Sequence, residues 1–413
     1  MSKAVQDILP SVTHLTYCTN IHGGESWAEH FEQIKENFPD IKLALNPDEV
    51  MGIGLRLSNT ASIELLEGNN LQEFKDWLLL NNACVFTMNG FPYGQFHSTV
   101  VKSDVHSPDW TTTERVDYTI RLIKILAELL PEGMDGGIST SPLSYKYWHH
   151  NEKQLDEVTS VATQNILKVA KVLIETHQTQ GKLIHLDIEP EPDGLIENGP
   201  EFIDWFKNVL LVKGVKFLSE LSDTQHFDGE SLIKEHIRLC YDICHFAIGY
   251  EDHSAMLLQF NQIGIKVGKV QISAALKVIL PEDLSARKEI AVLINKYNEP
   301  TYLHQVVALT KENELIRYRD LPQALADIFN TDVLEWRIHF HIPLFTDSLG
   351  KLGSTQSDVT DVLNLFKSNS FTNHLEVETY TWDVLPTNLK VPLKQSIIRE
   401  LNWVADHFKH LSV

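Results

Sequence analysis

Eight short apolar runs recur along the chain, each followed by a stretch with helical character, and this alternation limits the possible folds more than any other feature. The runs fall at 14–21 (HLTYCTNI), 51–57 (MGIGLRL), 83–89 (ACVFTMN), 137–140 (GIST), 182–189 (KLIHLDIE), 239–245 (LCYDICH), 266–273 (KVGKVQIS) and 374–380 (HLEVETY). Most are continuous rather than alternating, the pattern of parallel strands covered on both faces. Between them, 113–130 sets Val116, Ile120, Ile123, Leu126 and Leu130 at spacings of three and four, which predicts a helix with one buried stripe. Further helices are predicted over 26–37, 61–81, 151–177, 200–221, 254–263, 322–329, 359–367 and 392–407. Eight such strand–helix repeats predict a (β/α)8 TIM barrel. An open doubly wound sheet alternates in the same way, so the count alone does not choose. The stretch 277–345 breaks the rhythm and is expected to be an insertion or extended loop after strand seven. No linker divides the chain, so 1–413 reads as one barrel domain.

Charge narrows the function. The chain holds 35 Lys and Arg against 56 Asp and Glu, a formal net charge of −21. Such a surface repels phosphate backbones and anionic lipid, which argues against a nucleic-acid partner. Cys18, Cys84, Cys240 and Cys244 lie in apolar runs and read as reduced, buried thiols of a cytoplasmic protein. No signal pattern or membrane-length apolar run is present, which points the same way.

Polar residues gather at the ends of the apolar runs. Strand one ends in Asn20-Ile21-His22, and strand three runs into Asn89, Tyr93 and His97. Strand five ends in Glu189, strand six in Asp242 and His245, and strand eight in Glu378, while strand seven carries Gln271. The expected insertion holds Arg337, His339 and His341. In a parallel barrel all these ends open on one face. Carboxylates crowded there repel unless a cation neutralises them. Mixed carboxylate and imidazole ligands suit Mn, Zn, Mg or Fe without choosing among them. Each piece alone has an ordinary reading as a cap or hydrogen-bonding group; their joint placement carries the weight. Glu191 and Glu376 are alternates for Glu189 and Glu378.

The order Glu189, Asp242-x-x-His245, Gln271, His339-x-His341 and Glu378 resembles the xylose-isomerase-like TIM barrel superfamily. LCYDICHFAIGYE is similar to the sixth-strand segment of the endonuclease IV enzymes within it. The resemblance implies a divalent-metal centre held by Glu189, Asp242, His245, Gln271, His339, His341 and Glu378. Gln271 departs from the pattern, standing where those families carry a His. A likeness over almost the whole chain, carried by HLTYCTNIHGGESWAEHF, GIGLRLS, FTMNGFPYGQFH, PDWTTTER and LEVETYTW, is to the EboE family of metabolite traffic proteins. That likeness implies a link to export of a metabolite precursor alongside a membrane-protein partner.

Three functions follow as expectations. The first is a metal-dependent isomerase or epimerase of a sugar, polyol or related small-molecule metabolite. In it Glu189 and Glu378 exchange protons and His245 steadies a substrate oxygen, with His22, Asn89, Tyr93, His97, Arg337 and Trp382 as substrate contacts. The second is a metal-dependent phosphoester hydrolase related to endonuclease IV. The third is a non-catalytic carrier or scaffold for a metabolite.

Overall fold

A computed structural model describes residues 13–95, 100–221, 228–379, 381–382, 385 and 390–409. Eight parallel strands form the barrel: β1 (His14–Tyr17), β2 (Met51–Arg56), β3 (Ala83–Asn89), β4 (Gly136–Thr140), β5 (Ile184–Ile188), β6 (Ile237–Asp242), β7 (Val267–Ile272) and, far along the chain, β14 (His374–Val377). Their order is β1-β14-β7-β6-β5-β4-β3-β2. Every residue of β2, β4, β5, β6, β7 and β14 is buried, which is why those runs lack a polar face. The ring closes between β1 and β2 with side-chain help. Thr16 Oγ1 donates to Gly52 O at 2.8 Å and accepts from Gly54 N at 3.0 Å, while Cys18 and Gly54 form a parallel bridge. The fold is a (β/α)8 TIM barrel.

Helices pack outside the strands. Trp27–Leu45 starts with a capping box in which Ser26 Oγ accepts from Glu29 N and the Glu29 carboxylate accepts from Ser26 N, satisfying donors that the first turn leaves open. The 61–81 pattern divides into Asn59–Leu65 and Asn70–Leu80, and Gly199–Trp205 passes through a π-helical turn, Phe206–Leu210, before Leu211–Leu221. Among the described residues no helix is long and apolar enough to cross a membrane.

Between β7 and β14 the chain builds a second, antiparallel sheet. Its strands are β8 (Ala275–Ile279), β9 (Val306–Thr310), β10 (Leu315–Tyr318), β11 (Val333–His341), β12 (Ser348–Leu349) and β13 (Leu352–Ser354), ordered β10-β9-β11-β8-β13-β12. This ordered sheet runs wider than 277–345. The central strand β11 is the long one, and its pairing with β8 shifts register between Ile338 and His341. Bulges of this kind re-aim side chains, and His341 N-terminal to Ile342 is then tied back to the barrel through Ile342 N to Ala274 O at 3.0 Å.

Candidate metal centre

The sixth run is where strand and helix meet. β6 stops at Asp242, whose Oδ1 accepts from His245 N at 3.3 Å and caps the short helix Ile243–Ile248. The spacing Asp-x-x-His is therefore a helix N-cap, with His245 in the first turn rather than on a strand. Asp242 Oδ1 also accepts from Ser273 Oγ at 2.7 Å. Its Oδ2 makes no hydrogen bond and lies 3.7 Å from His245 Nε2.

Glu189 and Glu378 stand just beyond β5 and β14, both buried. Carboxylate oxygens of Glu189, Asp242 and Glu378 lie within 4.8 Å of one another. Glu378 Oε1 accepts from Asn20 Nδ2 at 2.7 Å and from Asn89 Nδ2 at 3.0 Å. Glu189 Oε2 has no hydrogen bond, and neither amide atom of the fully buried Gln271 has one. Burial pushes the Glu189 carboxyl well above its ordinary range, with Asp242 and Glu191 adding to the effect. Glu378 is raised in the same way by burial, Glu189 and Asp242. The opposing cation is Lys269, wholly buried beneath them and 3.1 Å from Glu376 Oε1. Glu376 therefore belongs to an ion pair inside the barrel, whereas Glu378 faces the cavity.

Three imidazoles are turned inward by their own hydrogen bonds. His245 Nδ1 is 2.9 Å from Pro190 O, His339 Nδ1 is 2.9 Å from Gln305 Oε1, and His341 Nδ1 is 3.0 Å from Glu378 O. Each of those oxygens is an acceptor, so each Nδ1 carries the proton and each Nε2 presents a lone pair. His245 Nε2 and His339 Nε2 are only 3.2 Å apart. Two lone pairs at that distance require a cation, either a proton or a metal ion. Burial first, then His245 and His341, hold His339 well below the ordinary imidazole range, and burial brings His341 down to about 4. That disfavours the proton. Outer partners that fix the tautomer are the usual companions of metal-bound histidine. The ligand atoms form overlapping groups: Glu189–Asp242–Glu378, Asp242–His245–His341 and Glu191–His245–His339. The unpaired carboxylate and amide atoms and the inward lone pairs fit a divalent metal.

A cavity of about 70 Å³ lies over these groups, lined by Asn20, Asn89, Glu189, Glu191, His245, His339 and Glu378 and rimmed by Phe91, Val105, Tyr302 and Leu303. That volume has room for an ion with a few waters or for the reacting end of a small molecule. Gln271, Asp242 and His341 are not among its lining residues.

Of the expected substrate contacts, Asn89 lines the cavity, and His22, Tyr93, Arg337 and Trp382 do not. His22 Nε2 is 3.1 Å from Tyr17 Oη. Tyr93 packs on Tyr118 and the Arg115 guanidinium. Arg337 lies over Tyr250 and bonds Glu335, Asp358 and Ala247 O, so its charge is spent on partners outside the cavity lining. Trp382 is buried in the core. His97 lies outside the described residues. The sequence reading overlooked His106, whose Nε2 is 3.2 Å from Glu191 Oε1, and Gln305, which orients His339. Neither sits at a barrel strand end, so the signal used for the others could not find them. Asp187, two residues before Glu189, points to the opposite end of the barrel, where it bonds His185.

No protein-family model matches the sequence, and no curated protein matches it. Solved structures share its architecture. A xylose isomerase-like TIM barrel protein from Mycobacterium smegmatis, in complex with magnesium, aligns over 98% of each chain with a TM-score of 0.50 at 9% identity. The IolI protein with a zinc atom aligns over 97% of this chain and 100% of its own, with a TM-score of 0.48 at 10% identity. The 3-keto-D-glucoside 4-epimerase from E. coli, in its apo form, aligns over 95% and 99%, with a TM-score of 0.45 at 12% identity. At these identities the likeness defines the fold alone.

Proposed function

We propose that the chain is a divalent-metal-dependent isomerase or epimerase acting on a sugar, polyol or related hydroxycarbonyl metabolite. The observation that carries this reading is the convergence of the Glu189, Asp242 and Glu378 carboxylates, with Gln271, in register with Asp242 on the neighbouring strand, left without a hydrogen bond. These four would hold the metal through oxygen, a donor set suited to Mg or Mn; the magnesium of the Mycobacterium smegmatis barrel agrees with that choice. Participation of His245 and His341 would move the preference toward Zn or Fe. When bound, the cation supplies Lewis acidity at a carbonyl oxygen and its neighbouring hydroxyl.

The residues of the chain do the rest. Glu189 and Glu378 come from strands on different sides of the mouth and both have raised proton affinity, so one can accept the carbon-bound proton while the other holds a proton to return. Asn20 and Asn89 fix the Glu378 carboxylate. Phe91, Val105 and Leu303 form an apolar rim that keeps bulk water from the reacting carbon. The test is exchange of the carbon-bound proton with deuterated solvent, followed over a panel of ketoses, aldoses and oxidised polyols. Exchange abolished by Glu189→Gln supports the reading; no exchange with any carbonyl compound ends it.

The overlapping groups that include His245, His339, His341 and Glu191 favour one second reading, phosphoester hydrolysis by two or three ions. Metal analysis separates the two: one ion per chain for isomerisation, two or three for hydrolysis. The EboE-like segments support a further element of the proposal, that the metabolite is a precursor handed to a membrane partner in the cytoplasm. Co-purification of the chain with such a partner in detergent checks this.

A further inference from the structure

A second group of ligand atoms lies at the opposite, N-terminal end of the barrel. Asp135 immediately precedes β4, His185 is the second residue of β5, and His374 opens β14. One ligand atom from each lies within 4.8 Å of the others. Both imidazoles are wholly buried and stacked, with ring centroids 5.3 Å apart.

His185 is held as a ligand would be. Its Nδ1 is 2.6 Å from Asp187 Oδ1, so Nδ1 bears the proton and Nε2 carries a lone pair. That Nε2 makes no hydrogen bond, although it is completely buried, and it faces Asp135 Oδ2 at 3.6 Å. A carboxylate and an imidazole lone pair directed at one another need a cation between them. The carboxylate–imidazole pair behind it is the usual support of a metal-bound histidine. His374 Nε2 is 3.1 Å from Asp135 O, an acceptor, and 3.4 Å from Asp135 Oδ1, so without an ion it carries the ring proton; to ligate, it passes that proton to Nδ1, which is buried and makes no hydrogen bond.

The backbone leaves room for this arrangement. A Cβ on Gly268 would lie 1.9 Å from Asp187 Oδ1, and one on Gly137 would lie 2.7 Å from both Asp187 Oδ2 and the His185 ring. Glycine on β7 and β4 thus admits the Asp187–His185 pair into the barrel. The charges also favour a cation. Asp135 and Asp187 bring two carboxylates, and Arg238 answers only in part: its Nη1 is 3.3 Å from Asp135 Oδ2, while its Nε and Nη2 are turned to Glu235 at 2.9 Å and 2.8 Å. Asp135 and Arg238 border an open groove, which gives an ion a way in from solvent.

We infer that Asp135, His185 and His374 form a second divalent-metal site, of the zinc class, at the end of the barrel remote from Glu189, Asp242 and Glu378. One carboxylate and two imidazoles are a ligand set for a four-coordinate ion with a water in the last position. Being far from the cavity, the ion would tie β4, β5 and β14 together rather than meet substrate.

The experiment is anomalous scattering at the zinc edge from crystals of the full chain, stripped with chelator and then equilibrated with zinc chloride. A peak bounded by Asp135, His185 and His374 is expected. Zinc at the mouth alone, or at neither end, overturns the inference. In solution, the Glu189→Gln/Glu378→Gln variant should retain zinc through dialysis, and His185→Gln or Asp135→Asn in that background should lower the retained zinc by one ion per chain. Unchanged zinc content in folded forms of both added variants also overturns it.

Discussion

Lys269→Met isolates the contribution of the ion pair beneath the candidate site. Lys269 Nζ and Glu376 Oε1 are 3.1 Å apart, and both side chains are fully shielded from water. At an effective dielectric of about 20 the pair attracts by roughly 5 kcal/mol, much of it offset by the desolvation of both charges. Removing one partner leaves Glu376 alone with Oε2 already unbonded, and breaking a buried pair in this way costs about 3–5 kcal/mol. For a chain of 413 residues the unfolding entropy is roughly 0.9 kcal/mol per kelvin, so 4 kcal/mol lowers Tm by about 5 °C. The assay is thermal melting in chelator, so that metal does not mask the change. Lys269→Met/Glu376→Leu removes both charges and should melt well above the single variant. The variant has a second expected effect: Lys269 opposes the upward shifts of Glu189 and Glu378, so its loss raises both further and weakens metal binding at neutral pH. A Tm drop below about 1 °C for Lys269→Met, or a double variant that melts below both singles, refutes the pairing argument.

Four further outcomes follow from the same geometry. Glu189 and Glu378 have folded pKa values raised above their ordinary 4.5; the folded chain therefore binds more protons than the unfolded one above that pH, and metal-free stability falls as pH rises. Melting curves at pH 5 and pH 8 check this, and added Mn or Zn should stabilise more at pH 8 than at pH 5. Asn20→Ala or Asn89→Ala frees the Glu378 carboxylate and should weaken metal binding on the order of 10–100-fold, measured by chelator competition. Glu189→Gln should slow proton exchange by about 10²–10⁴-fold with the fold intact by circular dichroism. Arg337→Ala should lower Tm, because it removes one ion pair from Glu335, which keeps Lys277, and leaves Asp358 with His253 alone among its ion-pair partners in the described residues, and leave KM unchanged.

The barrel was legible because its signal is long and redundant. The runs at 51–57, 83–89 and 266–273 match β2, β3 and β7 within a residue or so at each end, since a strand buried on both faces has little freedom in composition. The run at 239–245 matched less well. Its last three residues are as apolar as the strand before them, but they are helical because Asp242 caps them. Hydrophobicity cannot distinguish a buried strand from a buried turn of helix. The stretch after β7 was recognisable only as a break in rhythm. Its strands pair antiparallel across long sequence separations, as β11 does with β8 and β9, and no local spacing encodes such partners.

The candidate site divides along the same physical line. Glu189, Asp242, Gln271 and Glu378 lie on or just past parallel strands, and topology alone brings such positions together. Asn89 could be found on the same ground. Tyr93 and Arg337 could not be rejected from sequence, because their fate depends on neighbours supplied by distant segments: Tyr118 and Arg115 for the first, Tyr250 and Asp358 for the second. The inward-facing imidazoles make the strongest case. Nothing in the spacing of His339 and His341 states which ring nitrogen carries the proton. That is decided by Gln305 Oε1 and Glu378 O, an amide from β9's approach and a backbone carbonyl from the end of β14. The ligands themselves can be read from strand ends, but their readiness to bind is set by partners that only the folded chain supplies. Gln305→Ala tests that separation directly: it removes no ligand, yet it should let His339 exchange tautomers and reduce metal affinity while leaving the fold unchanged.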